Sequence, residues 1–151
     1  MESWLTEAGL VWSHSGKKLP CAVTTRYPDY LFAAEEHCVL LEVDEHEHQH
    51  YVASCEIARI SEIQDSISCL NLHVIRYNPH AKGGTSEKKA QVLTSLQTAL
   101  TTNFGRLSDT GVVVQYIGYS RDRVEHLDQL TCRLQQTGEQ RRSHEFQPTD
   151  I

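Results

Sequence analysis

Between Cys38 and Asp44 the chain reads CVLLEVD, and this run constrains the fold more than any other. Side chains alternate along a strand, so Cys38, Leu40, Glu42 and Asp44 share one face and Val39, Leu41 and Val43 the other. Two carboxylates two residues apart then point the same way from an otherwise apolar strand. The preceding run at 29–33, DYLFA, is also β-prone, and the turn-forming residues 34–37 join the two into a hairpin. A turn centred there pairs Ala33 with Cys38, and counting outward sets Asp29 opposite Glu42. Cβ atoms of directly opposed residues lie about 4.5–5.5 Å apart, a spacing at which like charges destabilise a sheet. Asp29, Glu42 and Asp44 are therefore expected to converge. A divalent cation would account for them, because Mg2+ is commonly held by one or two protein carboxylates with water and phosphate completing the shell. The plainer alternative is an edge hairpin with its acidic face in water. Val39, Leu41 and Val43, with Leu40 on the acidic face, suggest a central strand instead, and sequence alone leaves both open.

The formal net charge of −6, from 14 basic and 20 acidic residues, speaks against nucleic-acid binding when taken as a sum. Its distribution changes that. Residues 34–65 hold nine acids (Glu35, Glu36, Glu42, Asp44, Glu45, Glu47, Glu56, Glu62, Asp65) against one base, Arg59. The remainder carries 13 bases and 11 acids, a charge of +2. One acidic segment sits in a mildly basic chain.

Elsewhere the pattern alternates between helical and extended spacing. Residues 1–12 read as a short helix with Trp4, Leu5 and Ala8 on one face. Gly16 to Pro20 mark a loop, and 21–25 is strand-like. Residues 51–67 place Ile57, Ile60, Ile63 and Ile67 on one side of a helix. A strand at 70–78 stops at Pro79. After Gly83 and Gly84 a helix is predicted with Thr85 or Ser86 as N-cap, Val92, Leu93, Leu96 and Leu100 inward, and Gly105 as its end. Residues 112–119 form a strand, and a last amphipathic helix from Arg121 carries Val124, Leu127, Leu130 and Leu134, closed by Gly138. The order α-β-β-β-α-β-α-β-α describes one α/β domain over 1–138 around a mixed sheet, with a polar tail at 139–151. At 151 residues, with 39% hydrophobic and 23% charged, the chain has enough apolar material for a core. It shows no apolar run of membrane-spanning length and no signal-peptide apolar region at its N-terminus. Its five cysteines (Cys21, Cys38, Cys55, Cys69, Cys132) never form a CxxC pair, which argues against a disulfide framework or thiolate zinc site and for a reducing intracellular compartment.

Directly after the acidic strand comes Glu45-His46-Glu47-His48-Gln49-His50. Three alternate histidines could bind a transition metal, since imidazole suits zinc, copper or nickel. A polar turn with histidines in solvent is the plainer reading for at least two of them. One histidine just beyond a carboxylate pair is also well placed to move a proton at neutral pH.

Taken together, Arg26-x-Pro28-Asp29-Tyr30 and Leu41-Glu42-Val43-Asp44-Glu45-x-x-His48 resemble the PD-(D/E)XK, or restriction-endonuclease-like, superfamily. The branch they resemble includes very-short-patch repair and EDxHD homing endonucleases and related proteins of large eukaryotic DNA viruses. The similarity extends through Tyr51, Cys55-Glu56, Arg59 and Glu62 to Ile75-Arg76-Tyr77-Asn78-Pro79, covering about residues 26–80. It implies an αβββαβ core with a C-terminal α-β-α extension. It also implies that Asp29 and Glu42, with the Val43 backbone carbonyl, ligate Mg2+ or Mn2+. Asp44 stands where many members have lysine, so His48 would take the proton-transfer role, with Asp44 positioning it or joining a second metal site. Glu2 or Glu7 could supply the further acid some members use. Arg59 and Arg76 match family positions without an evident catalytic role, and for Arg59 the simpler expectation is pairing along its helix with Glu56 or Glu62. Tyr51 is expected in packing, Cys55 in the core, and Asn78-Pro79 in a strand-ending turn.

The function so implied is metal-assisted phosphodiester hydrolysis of a nucleic acid, DNA ahead of RNA, by a monomer or homodimer. Affinity would come from Lys17, Lys18, Arg26, Lys82 and Lys88, with Lys89, Arg121 and Arg123 as further candidates, and would be weak and salt-sensitive. Taken singly, each of these bases also reads as an ordinary solvated surface residue. Two other classes stay open: a nuclease fold that has lost catalysis and only binds nucleic acid or protein, and a histidine-rich metal module built on His46, His48 and His50.

Overall fold

The structure, a computed structural model, describes residues 1–17, 27–48, 53–67, 71–102 and 111–129. In chain order the elements are α1 (Glu2–Glu7), β1 (Tyr30–Ala33), β2 (Cys38–Val43), a 3-10 turn (Glu45–His48), α2 (Ala53–Ile67), β3 (Leu72–Tyr77), α3 (Thr85–Thr101) and β4 (Val112–Ile117). A further helix, α4, runs over 121–129. The strands form one mixed sheet in the order β1-β2-β3-β4, with β1 antiparallel to β2 and the other pairs parallel. The chain is thus an α/β fold with helices against a mixed sheet. The expected strand at 21–25, Lys18, Arg26, His50, Tyr51 and the tail 139–151 lie outside the described residues.

The hairpin has the register its turn dictates. Ala33 pairs with Cys38 and Tyr30 with Leu41, so the next step outward brings Asp29 to Glu42. Ala34 N–H donates to the His37 carbonyl at 2.9 Å to close the turn. The buried His37 ring places its Nε2 2.6 Å from the Ala99 carbonyl, which ties the turn to α3. On the outer side of β1, the Ser13 N–H donates to the Leu31 carbonyl at 2.8 Å and His14 bridges Leu31. This cover leaves less of the outer edge open to pairing with another chain.

Period-two alternation divides the core between the two sheet faces. Val39, Leu41, Ile75, Tyr77 and Ile117 pack with Leu5 of α1 and Val92, Leu96 and Ala99 of α3. Leu31, Leu40, Leu72 and Val74 pack with Ile63 of α2, and Ile60 and Ile67 extend that contact. Burying each such Leu or Ile contributes about 1.5–3 kcal/mol. β3, paired on both sides and covered on both faces, is buried throughout, as a central parallel strand should be.

Three local expectations need correction. The N-cap of α3 is Gly84 in an extended conformation, with no side-chain cap, so the helix starts at Thr85 itself. That helix ends at Thr101 because Thr102 turns extended, before Gly105 is reached. Cys55 is exposed, not in the core. The buried side of α2 carries Glu56 and Ile63, with Ile60 and Ile67 beside them, and Cys55 lies off that stripe, since successive helical residues are rotated by about 100°.

Candidate functional site

The sheet brings Asp29 and Glu42 together as neighbours across the hairpin. Asp29 accepts a hydrogen bond on Oδ2 from the Val43 N–H at 2.7 Å, which fixes the aspartate against the end of β2. Glu42 is only 2% exposed. Its Oε2 meets Arg59 Nη1 of α2 at 2.6 Å, while its Oε1 is buried with no hydrogen-bond partner among the described residues. Arg59 also donates through Nη2 to the Tyr27 carbonyl at 2.9 Å, so the guanidinium spans from α2 to the residues just before β1. The expected pairing of Arg59 along its own helix is replaced by this crossing to the sheet. The Glu42 carboxyl is pushed up to about 8, by burial first and also by Asp29 and Asp44, with Arg59 pulling against them. The Arg59 guanidinium is held above its ordinary value by Glu42 despite its own burial.

Asp44 does not complete a three-carboxylate cluster. Strand β2 ends at Val43, and the Asp44 N–H continues the parallel pairing by donating to the Tyr77 carbonyl at 2.8 Å. Its Oδ2 accepts from Arg76 Nε and from the Tyr119 hydroxyl, each at 2.5 Å. Arg76 reaches across to the Glu56 carboxylate of α2 as well. Asp44, Arg76 and Glu56 are all buried, at 0%, 3% and 5% exposure. Burial foremost, then the Asp44 charge, drives the Tyr119 hydroxyl far above its usual range, so it stays a donor. Arg76 stays cationic because its bond to Asp44 outweighs its own burial. Among the described residues, no group of three or more His, Cys, Asp or Glu side chains is arranged to hold a metal ion. What the hairpin offers is a pair of carboxylates and a backbone carbonyl.

The histidines part company. His46 is exposed and stacks on His80, with ring centroids 4.0 Å apart and planes at 14°. His48 ends the 3-10 turn, but its side chain lies outside what is described, as does His50. Nothing in the described residues assembles the trio. His46 and Glu47 both occupy the left-handed region, at φ 55 and 57, a conformation that costs a non-glycine residue about 1–3 kcal/mol unless its surroundings impose it. Here Glu47 is held by Ser120, whose N–H and hydroxyl donate to its carboxylate at 2.7 and 2.9 Å.

Among the described residues, the candidate basic residues are dispersed. Lys17 is exposed in a segment anchored by the bond from Gly16 N–H to the Pro28 carbonyl, 2.9 Å. Lys82 is exposed on the loop after β3, and Lys88 reaches the same loop by donating to the Pro79 carbonyl at 3.0 Å. Lys89 is paired with Glu7, which places that acid away from the hairpin. Arg121 pairs with Glu125 on the surface of α4 at 2.8 Å. Glu2, with Asp29 and above all burial, raises the Tyr30 hydroxyl. Asn78 makes the expected strand-ending turn, its Oδ1 accepting from the His80 N–H at 3.0 Å. Sequence reasoning missed Tyr119, Glu56 as the second partner of Arg76, and Glu47 with Ser120. Each joins elements far apart in the chain, and no local pattern signals such a meeting.

Comparison with protein-family models, curated proteins and solved structures found no match to the chain. Among the described residues, no helix is long and apolar enough to cross a membrane.

Proposed function

We propose that this chain is a metal-dependent endonuclease of the PD-(D/E)XK kind that hydrolyses phosphodiester bonds of DNA. The observation that carries the reading is the buried, partnerless Oε1 of Glu42 beside Asp29. A buried carboxylate oxygen without a donor is costly, and two carboxylates side by side favour a shared cation. Asp29, Glu42 and the Val43 carbonyl would hold Mg2+ or Mn2+. Bound there, such a cation supplies charge on a phosphoryl oxygen and a water of lowered pKa.

The protein's own groups divide the remaining work. Val43 N–H orients Asp29, and Arg59 holds Glu42 by one oxygen while the other stays without a donor among the described residues. Asp44, engaged by Arg76 and Tyr119, fixes the end of β2 and takes no proton from water. Proton transfer is assigned to His48 from its place in the sequence, four residues beyond Asp44. Lys82 and Lys88 give the loop after β3 the charge to meet a phosphate chain, with Lys17, Lys18 and Arg26 as further contacts. A reducing intracellular compartment, expected from the spacing of the cysteines, belongs to the same reading. The protein acts as a monomer or homodimer.

A second reading, a nuclease fold that binds without cutting, is favoured by one contact. Arg59 at 2.6 Å already balances the Glu42 charge. Supercoiled plasmid incubated with Mg2+, Mn2+ or EDTA separates the two. Nicking by the wild type that needs the cation and disappears in Asp29→Ala and Glu42→Ala supports the enzyme. Plasmid retardation without nicking supports the binding module. Nicking that survives both substitutions sinks the site.

A further inference from the structure

Loops leave the carboxyl ends of the parallel strands β2, β3 and β4 on one edge of the sheet, and among them lies a cleft of about 490 Å³. In open α/β sheets this edge is where ligands bind. His46 and Glu47 enter the cleft from β2, His80 and Lys82 from β3, and Tyr119 and Ser120 from β4.

The walls are built and their polar groups are satisfied. Asn78 Nδ2 donates to the Gly118 carbonyl at 3.0 Å, and Asn78 N–H to the Ile117 carbonyl at 2.9 Å. Gly118 has φ 75, and a Cβ there would stand 2.7 Å from Ala81 Cβ and 2.9 Å from the Asn78 carbonyl oxygen. Only glycine lets the two loops approach this closely. The Glu47 carboxylate is taken by Ser120 and the Tyr119 hydroxyl by Asp44. The side chains that remain are the stacked rings of His46 and His80 and the Lys82 ammonium. All three residues are exposed, and His46 has a left-handed backbone.

We propose that this cleft holds one unpaired nucleotide of the substrate strand, its base stacked on the His46–His80 pair and its phosphate at Lys82. Flat exposed rings are what proteins offer to unstacked bases, and a lysine binds phosphate as a point charge. Glu47 lines the cleft, but Ser120's donors engage it, which weakens its repulsion of an incoming phosphate. Tyr119, which lines the cleft, bonds Asp44, two residues beyond Glu42. A nucleotide there is therefore a neighbour of the bond to be cut, and this assignment rests on the nuclease reading. It names the substrate as single-stranded, or as a duplex with an unpaired base.

Titration in EDTA with deoxyadenosine monophosphate, deoxyadenosine and inorganic phosphate, followed by the imidazole NMR signals, tests it. The monophosphate should shift the His46 and His80 signals and bind about tenfold tighter than either fragment, in line with the usual worth of one stacked base. Lys82→Ala, and His46→Asn, which keeps a residue tolerant of the left-handed backbone, should each weaken it by about tenfold. Inorganic phosphate binding as tightly as the nucleotide, or His46→Asn binding as the wild type does, overturns the proposal. Nucleotide binding by a protein that nicks no plasmid keeps the cleft and sinks the nuclease. Cation-dependent nicking with no nucleotide binding does the reverse.

Discussion

Glu42 and Asp44 stand two residues apart at one end of β2, equally buried, and their surroundings differ. Asp44 is met by Arg76 and Tyr119, with Glu56 balancing the arginine from the other side. Glu42 is met by Arg59 on one oxygen, while the other has no donor among the described residues and the Asp29 charge acts on the group. The first arrangement has two donors and a third charge behind them and is costly to disturb. The second has one donor and a neighbouring acid, and a buried carboxylate so placed is where a ligand has something to add. Proximity in sequence and equal burial therefore do not make two acids equivalent. Their partners decide.

The largest effect should come from breaking the region around Asp44. Arg76→Met leaves Asp44 and Glu56 buried without their shared cation, and losing one member of a buried ionic network costs about 3–5 kcal/mol. Urea unfolding measures it. A loss below about 1 kcal/mol would mean that the network is as dispensable as a surface pair and that the contrast drawn above is wrong.

A smaller effect should follow from titrating Glu42. The Glu42 carboxyl sits at about 8 in the folded protein against an ordinary 4.5, chiefly through burial. Between those values the folded state binds the proton and the unfolded state has lost it, so stability falls as pH rises through this window. The expected fall is at most about 4 kcal/mol from pH 5 to 9. Glu42→Gln, neutral at every pH, should remove this part of the slope. Because a cation competes with the proton for the same oxygens, Mn2+ should bind more tightly as pH approaches 8 and should offset the fall in the wild type but not in the variant. Stability curves that coincide for wild type and Glu42→Gln across this range would place the carboxylate in a far better solvated setting.

Much of this arrangement was written in local periodicity. Alternation at 38–44 identified β2, its two faces and its Ala33–Cys38 register, because pleat and turn geometry act over a few residues. The same alternation put Asp29 opposite Glu42. The isoleucine spacing identified α2. What could not be read was the partner of each acid, since Arg59 and Arg76 are chosen by how α2 and β3 lie on β2. Alternation correctly gave Asp44 a shared face with Glu42, but not the end of the strand at Val43 or the tyrosine arriving from position 119. The left-handed pair His46–Glu47 was equally silent, for neither residue is a glycine and the contacts that impose it come from His80 and Ser120.

The smallest effect concerns a buried imidazole. His73 of β3 is pushed below its ordinary 6.5, first by burial, with Gln115 working against that and His37 adding to it. Here the unfolded state takes the proton first as pH falls, so this contribution is complete above about 6.5 and is lost as pH drops through the lowered folded value. The slope is opposite in sign to that of Glu42, and below about 6.5, where the two windows overlap, the two contributions offset each other. His73→Gln should flatten the acid limb alone and leave the fall toward pH 9 untouched, since Glu42 lies on the other face of the sheet from His73. A variant that changes both limbs would show that the two faces titrate as one unit. In that case Glu42 could not be treated as an isolated, unsatisfied site.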